Sequence, residues 1–357
     1  MLRRLPRGVV VALAVCLALA VVIATVVAVR WWREGPRTDL ARAVSLAPAS
    51  TERLSWTDWR AVRREVEADL GTSPSVDAVT ELLDDAFSRD LSTSSALAES
   101  SPTLQAEFGF SPATIDWELF AQGPEGAVEI LGFPDETDFD AIGETLTSLG
   151  FTRADGEEEI WAGGADVLAR VGPQLTPQLQ FFALLPDMGV ILTSDTLAYL
   201  EDAVAAATGA ADHLTSVSQV VSDLTAPLTA AVYTGSYACE ELAMASADER
   251  DRAQAVELVR SAGEVHPLSE FAMAAHPDGH ISVTMAFESD EVARTDADTR
   301  ATLASGPAPG QGGDFADRFS VDSVSAEGRL VRMRLDPIEG EYVLSDLTSG
   351  PLLFATC

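Results

Sequence analysis

Residues 8–29 read GVVVALAVCLALAVVIATVVAV, 22 positions without a charge. No other feature constrains the chain as much. A helix rises 1.5 Å per residue, so ~20 apolar residues span the hydrocarbon core and satisfy their own backbone groups there. Arg3, Arg4 and Arg7 precede the run, and Arg30, Trp31, Trp32 and Arg33 follow it. Indoles favour the headgroup zone. A cleaved secretory signal has an apolar region of only ~7–15 residues. Cleavage at Ala18-Leu19-Ala20 would leave an apolar tail, so an uncleaved anchor is the reading. Leu13-Ala14-Val15-Cys16 resembles a lipobox, but Val15 stands where a small residue is needed. Cys16 then reads as a small apolar side chain in the membrane.

The expected organisation is a short cytoplasmic tail (1–7), a transmembrane helix (8–29), a tether (30–50) and a body (51–357). The body has possible lobes at 51–225 and 226–357. Arg flanks both ends of the span, so the positive-inside rule is nearly balanced. The seven-residue tail with three Arg favours the N-terminus inside and the body outside.

Charge is segregated. All 23 basic residues are Arg, set against 56 acids. The first 64 residues carry 11 Arg and four acids; the remainder carries 12 Arg and 52 acids. Such a body repels phosphate backbones, which excludes nucleic acid as a partner. With 47% apolar residues, the chain has enough material for a packed core.

Apolar spacing predicts helices near 59–70 (Thr57 or Asp58 capping, Gly71 closing), 75–87 (opened by Ser73-Pro74), 138–149, 196–207 and 290–303. Turn signals at Gly123-Pro124-Glu125-Gly126, Pro186-Asp187-Met188-Gly189, His276-Pro277-Asp278-Gly279-His280 and Ala326-Glu327-Gly328 predict hairpins at 117–131, 178–193, 271–287 and 319–335. Leu352–Thr356 reads as a final strand. The fold class is α+β, with antiparallel hairpins alternating with helices. A hairpin-then-helix unit appears three times, which suggests an internal duplication. The second and third units align at an offset of 91, pairing Pro186 with Pro277 and Asp187 with Asp278.

One run of residues carries a resemblance. Phe110-Ser111-Pro112 and Ile115-Asp116-Trp117 are followed by the first hairpin and helix. Leu149-Gly150-Phe151, Trp161-Ala162-Gly163 and Asp187–Asp195 come next. This order resembles exported, membrane-anchored actinobacterial proteins that carry a domain of unknown function, over residues 45–225. The matching positions are turns, caps and core, so the resemblance implies a fold and a bacterial envelope location, but no catalytic residues. The Arg-only basic set suits a high-GC bacterium.

Chemistry is scarce. His276 and His280 have metal-pair spacing, with Asp278 between them, but Pro277-Asp278-Gly279 forces a turn. His213 and His266 stand alone, and no Cys has a CxxC partner. Ser236 follows Gly235 without a His signature, there is no GxSxG elbow, and a Ser-Lys mechanism needs a Lys. Gly163-Gly164 is a lone doublet, read as a turn, and no phosphate loop is present. Asp135-Glu136-Thr137-Asp138-Phe139-Asp140 and Glu157-Glu158-Glu159 lack a calcium-loop pattern. They read as a helix start that suits the dipole and as a hairpin turn. No catalytic, cofactor or metal residue is assigned.

Cysteine is more informative. With Cys16 in the membrane, Cys239 and Cys357 remain, an even pair in an exported body, and a disulfide between them is expected. The alternative is two buried free thiols. Cys239 lies near a possible helix over Glu240–Met244. A bond would hold the final residue, which otherwise frays. The functional expectation is a non-enzymatic binding, structural or accessory protein of the cell envelope. Its partners would be the membrane, through residues 8–29, and an unknown protein or small-molecule ligand. The competing reading is an envelope enzyme with a carboxylate-based or metal-assisted site.

Overall fold

A computed structural model describes residues 38–71, 73–154 and 157–357. The tail 1–7, the apolar run 8–29 and the start of the tether lie outside the described residues, as does their expected orientation. No helix among the described residues is long and apolar enough to cross a membrane.

In chain order the elements begin α1 (Asp39–Val44), β1 (Arg53–Thr57), α2 (Trp59–Glu65), α3 (Val76–Ser88), β2 (Trp117–Gly123), β3 (Gly126–Gly132) and α4 (Phe139–Leu149). They continue with β4 (Thr152–Ala154), β5 (Glu157–Ala162), α5 (Gly164–Val171), β6 (Phe181–Leu185), β7 (Val190–Ser194), α6 (Leu197–Ala207) and α7 (Ser218–Asp223). Then come β8 (Thr229–Thr234), α8 (Glu249–Ala262), β9 (Glu270–Ala275), β10 (Ile281–Ala286), α9 (Asp290–Leu303), β11 (Phe319–Glu327), β12 (Leu330–Pro337) and α10 (Val343–Ser349). Single helical turns fill several connections.

All four expected hairpins form, as β2–β3, β6–β7, β9–β10 and β11–β12. They join the other strands in one 12-stranded sheet, ordered β11-β12-β10-β9-β8-β1-β2-β3-β7-β6-β5-β4. Its neighbours pair antiparallel, so the chain is α+β around an antiparallel sheet.

The sheet reads the same way outward from its centre. β1 and β8 pair about Ser55 and Ala231, with Arg53 opposite Tyr233 and Thr57 opposite Thr229. One half then runs β1-β2-β3-β7-β6, extended at its edge by β5-β4, and the other β8-β9-β10-β12-β11. In each half a hairpin is followed by a helix and a later hairpin whose last strand pairs with the first; in the first half the β4–β5 hairpin and α5 are inserted between them. Position therefore matches β2–β3 with β9–β10, and β6–β7 with β11–β12. The offset of 91, which pairs the second hairpin with the third, is not the equivalence the sheet uses. Shared turn chemistry at Pro186 and Pro277 produced that alignment.

Period-2 alternation sends side chains to two faces, both buried. On one face Trp56, Leu119, Ile130, Leu192, Val232 and Ala272 pack under α1, α6 and α7. On the other, Leu131, Phe182, Ile191, Phe271, Met273 and Met333 pack under the remaining helices. Helix starts follow cap chemistry: Asp58, Ser75, Asp138, Asp248 and Ser289 each accept a backbone N–H of the first turn.

Several expectations need correction. The tether does not extend to residue 50, because α1 buries Leu40, Ala43 and Val44, and Leu46 and Ala47 follow them into the core. α2 stops at Glu65, with Val66 as its C-cap and Glu67 at φ 56, well before Gly71. Ser75, rather than Ser73, caps α3. Residues 177–180 form a 3-10 turn ahead of β6. Gly164 opens helix α5 at φ 67, where a plain turn was expected. Leu353–Ala355 is a 3-10 turn and not a strand.

Candidate functional site

The two body cysteines meet. Their Cα atoms are 5.5 Å apart across 118 residues of sequence, in a disulfide. Cys239 lies in the wide helical turn Ala238–Leu242, directly after the single turn Gly235–Tyr237. Gly235 is required there: its N–H donates to the Ser269 carbonyl at 3.0 Å, and a Cβ would stand 1.9 Å from the Leu268 oxygen. Cys357 follows Leu352, Leu353, Phe354 and Ala355, all of them buried.

Two further devices hold this tail. The Leu352 N–H donates to the Leu242 and Ala243 carbonyls at 2.9 and 2.8 Å. Arg300 of α9 is fully buried; its guanidinium donates to the carbonyls of Phe354 (2.8 Å), Thr356 (2.6 Å) and His266 (2.7 Å). Asp296, one helical turn earlier, is its ion-pair partner at 3.1 Å. Burial pulls the Arg300 guanidinium below its ordinary range, and Asp296 opposes that. Asp296 also accepts from the His266 backbone N–H at 3.0 Å and lies 2.6 Å from its ring nitrogen. The tail and the segment before β9 are therefore tied to one buried ion pair.

Beside the crosslink runs a groove of about 530 Å³, whose wall includes both cysteines. Its apolar lining comes from Met244, Val256, Val259 and Val265, with Ala243, Ala245 and Ala255 between them. Val256 is 55% exposed, although it is a large aliphatic side chain. Arg252 and Arg260 are the charged side chains of the lining, and no Asp or Glu contributes. α8 supplies one stripe of this wall, residues 252, 255, 256, 259 and 260, at the i, i+3, i+4, i+7 spacing of a helix face. The volume falls within the range of small-molecule clefts.

The other sequence candidates fall in different places. His276 and His280 do come together across the β9–β10 turn, with rings stacked 4.3 Å apart. His276 Nε2 lies 2.8 Å from Ser282 Oγ, and His280 pairs with Asp278. Burial, together with the charge of His280, pulls the His276 imidazole down to about 4. Among the described residues no group of three or more His, Cys, Asp or Glu is arranged to hold a metal ion. Asp135, Asp138 and Asp140 line a cleft of about 630 Å³ with Asp39, Asp116 and Asp187. Arg60 crosses it, bound to Asp39 at 2.7 Å and Asp116 at 3.3 Å, while Asp138 is occupied as the cap of α4. Ser236 hydrogen-bonds to Thr234.

Sequence reasoning missed one cluster. Glu118 on β2 and Glu129 on β3 are buried on the same face of the sheet. Glu118 accepts from Trp59 Nε1 (2.8 Å), Ser95 Oγ (2.8 Å) and the backbone N–H groups of Ala96 (2.7 Å) and Leu97 (3.3 Å). No N–H or hydroxyl of the described residues donates to Glu129. Burial raises both carboxyls, and the charge of Glu118 raises Glu129 further. The signal was available: each Glu lies within a run of strand-forming apolar residues.

No family model matches the chain. No curated protein matches it either. Among solved structures, crystal form I of TP0453 is similar at 7% identity and a TM-score of 0.37, covering 87% of this chain and 98% of that one. Crystal form III of TP0453 is similar at 8% identity and a TM-score of 0.41, covering 86% and 98%.

Proposed function

We propose that the chain is a single-pass protein of the bacterial cytoplasmic membrane, with residues 8–29 as anchor and the α+β body outside. Its role is non-enzymatic binding in the cell envelope, and the groove beside Cys239 and Cys357 is the binding surface. The observation that carries this reading is the cysteine pair. The two body cysteines, 118 residues apart in sequence, are joined at the spacing of a disulfide, a bond that persists in oxidising compartments outside the cytoplasm. The uncharged 22-residue run supplies the anchor. The paired carboxyls Glu118 and Glu129 are 1% and 0% exposed, which closes them to substrate and argues against an acid-based active site there. Apart from the β4–β5 edge hairpin, the matching strand order of the two sheet halves fits an internal duplication of one strand–hairpin–helix–hairpin unit.

The test is peptide mapping of the full chain, alkylated in intact cells before extraction and digested without reductant. A crosslinked peptide containing Cys239 and Cys357 supports the reading. Two alkylated cysteines in the folded native protein would overturn it.

A further inference from the structure

The lining of the groove specifies a class of ligand. Four other clefts of the body carry acids: six Asp in the one of about 630 Å³, Asp140 and Glu144 in a second, and Asp138 and Asp251 in two more. The groove beside Cys239 and Cys357 carries no Asp or Glu side chain; its charged side chains are Arg252 and Arg260, beside the single α-carboxylate of Cys357. In a chain of net charge −33, this lining stands out by holding more cationic than acidic groups. An anion is therefore attracted here and repelled over most of the remaining surface.

The apolar part narrows the choice. The two Arg are eight residues apart on α8, so ~12 Å of apolar stripe separates them. Ala243, Ala245 and Ala255 let a thin chain approach the wall, and Met244 adapts its shape to what lies against it. A bound peptide would need partners for its own N–H and C=O groups, which peptide-binding grooves supply from a sheet edge or from polar side chains. This lining is apart from Thr356 a set of aliphatic, sulfur and Arg side chains. An alkyl chain makes no such demand.

Resting on the groove as the binding surface, we propose that it binds a single long-chain fatty acid. The alkyl chain lies along Val256, Val259 and Met244, and the carboxylate pairs with Arg260. That guanidinium has capacity for it. Arg260 makes an exposed pair with Glu257, of the kind that contributes little in water. Arg252 uses Nη1 on the Ala245 and Ala247 carbonyls.

The experiment uses the full chain in phosphatidylcholine nanodiscs and a palmitic acid bearing a photoreactive diazirine, with mass spectrometry to locate the label. The expected label falls on peptides containing residues 239–265 or 352–357. Unlabelled palmitate should compete at least tenfold better than hexadecanol, which has the same chain without the charge. Arg260→Gln should weaken labelling roughly tenfold, the loss of one charge-assisted bond. Val256→Asp, at an exposed position that tolerates the change, should abolish it while the Cys239–Cys357 crosslink persists. If hexadecanol competes as well as palmitate and Arg260→Gln labels normally, the fatty-acid proposal falls and the groove stands as an apolar binding surface. If the label maps elsewhere and Val256→Asp leaves it unchanged, the groove reading falls as well.

Discussion

Glu129 lies diagonally across the β2–β3 ladder from Glu118; Glu118 pairs with Leu131 and Glu129 with Phe120, so both carboxyls share one buried face. Four donors satisfy Glu118, and no N–H or hydroxyl of the described residues reaches Glu129; burial raises both carboxyls, and the neighbouring Glu118 raises Glu129 further, which favours its protonated form. The groups facing them from neighbouring elements are neutral: Trp59, Ser95, Thr57 on β1 and Thr193 on β7, the last two opposite Glu118 and Glu129 in register.

This arrangement has a definite pH signature. Burial beside Glu118 lifts the folded-state pKa of Glu129 well above the ordinary glutamate value of 4.5. Its stabilising contribution is whole below that value and is lost as pH rises toward the folded value. The slope is at most ~1.4 kcal/mol per pH unit for one proton. Glu129→Gln keeps the neutral shape and removes that loss. Its melting temperature should match wild type near pH 4 and exceed it increasingly toward pH 8. A variant that melts lower across this whole range would contradict a protonated Glu129.

Arg300→Ala leaves Asp296 a buried carboxylate with only His266 beside it and releases three carbonyls, two of them in the C-terminal tail. Breaking a buried pair from one side costs about 3–5 kcal/mol. Urea unfolding without reductant should show that loss. The double variant Asp296→Asn with Arg300→Met should recover part of it, because no charge is left unpaired.

Cys239→Ser with Cys357→Ser removes a crosslink spanning 118 residues. The expected cost is ~2–4 kcal/mol, seen as a lower urea midpoint. Arg300 and the Leu352 N–H should keep the tail docked below that midpoint, so tail amides should still resist hydrogen exchange.

Gly235→Ala places a Cβ against the Leu268 carbonyl oxygen, a backbone atom that cannot turn aside. Overpacking of this kind costs roughly 1–3 kcal/mol. The loss should appear in thermal melts and should exceed that of Gly306→Ala, where the nearest atom lies 3.7 Å from the added Cβ.

Much of the fold was legible because its signals are local. The Gly123–Gly126 turn, the Asp138 and Gly150 caps of α4 and the whole of α9 can be read from neighbouring residues. Elements defined by distant contacts were not. β1 and β8 are short, and β8 is rich in small residues; each is a strand because it lies between others at the sheet centre. α8 buries only Ala255 fully, so its apolar stripe is interrupted in sequence by charged residues, and the same shallow packing leaves Val256 available to the groove. The cysteine pair was legible from count and compartment, whereas the Arg-rimmed groove beside it needed α8 and the tail brought together.

The position of the body relative to the membrane is the central claim, and one measurement bears on it most directly. Protease is added to intact protoplasts, and body fragments are followed by mass spectrometry beside a cytoplasmic control protein. The expected result is cleavage of the body at its exposed loops while the control stays whole. Full protection of residues 39–357 under conditions that digest them after lysis would contradict the account.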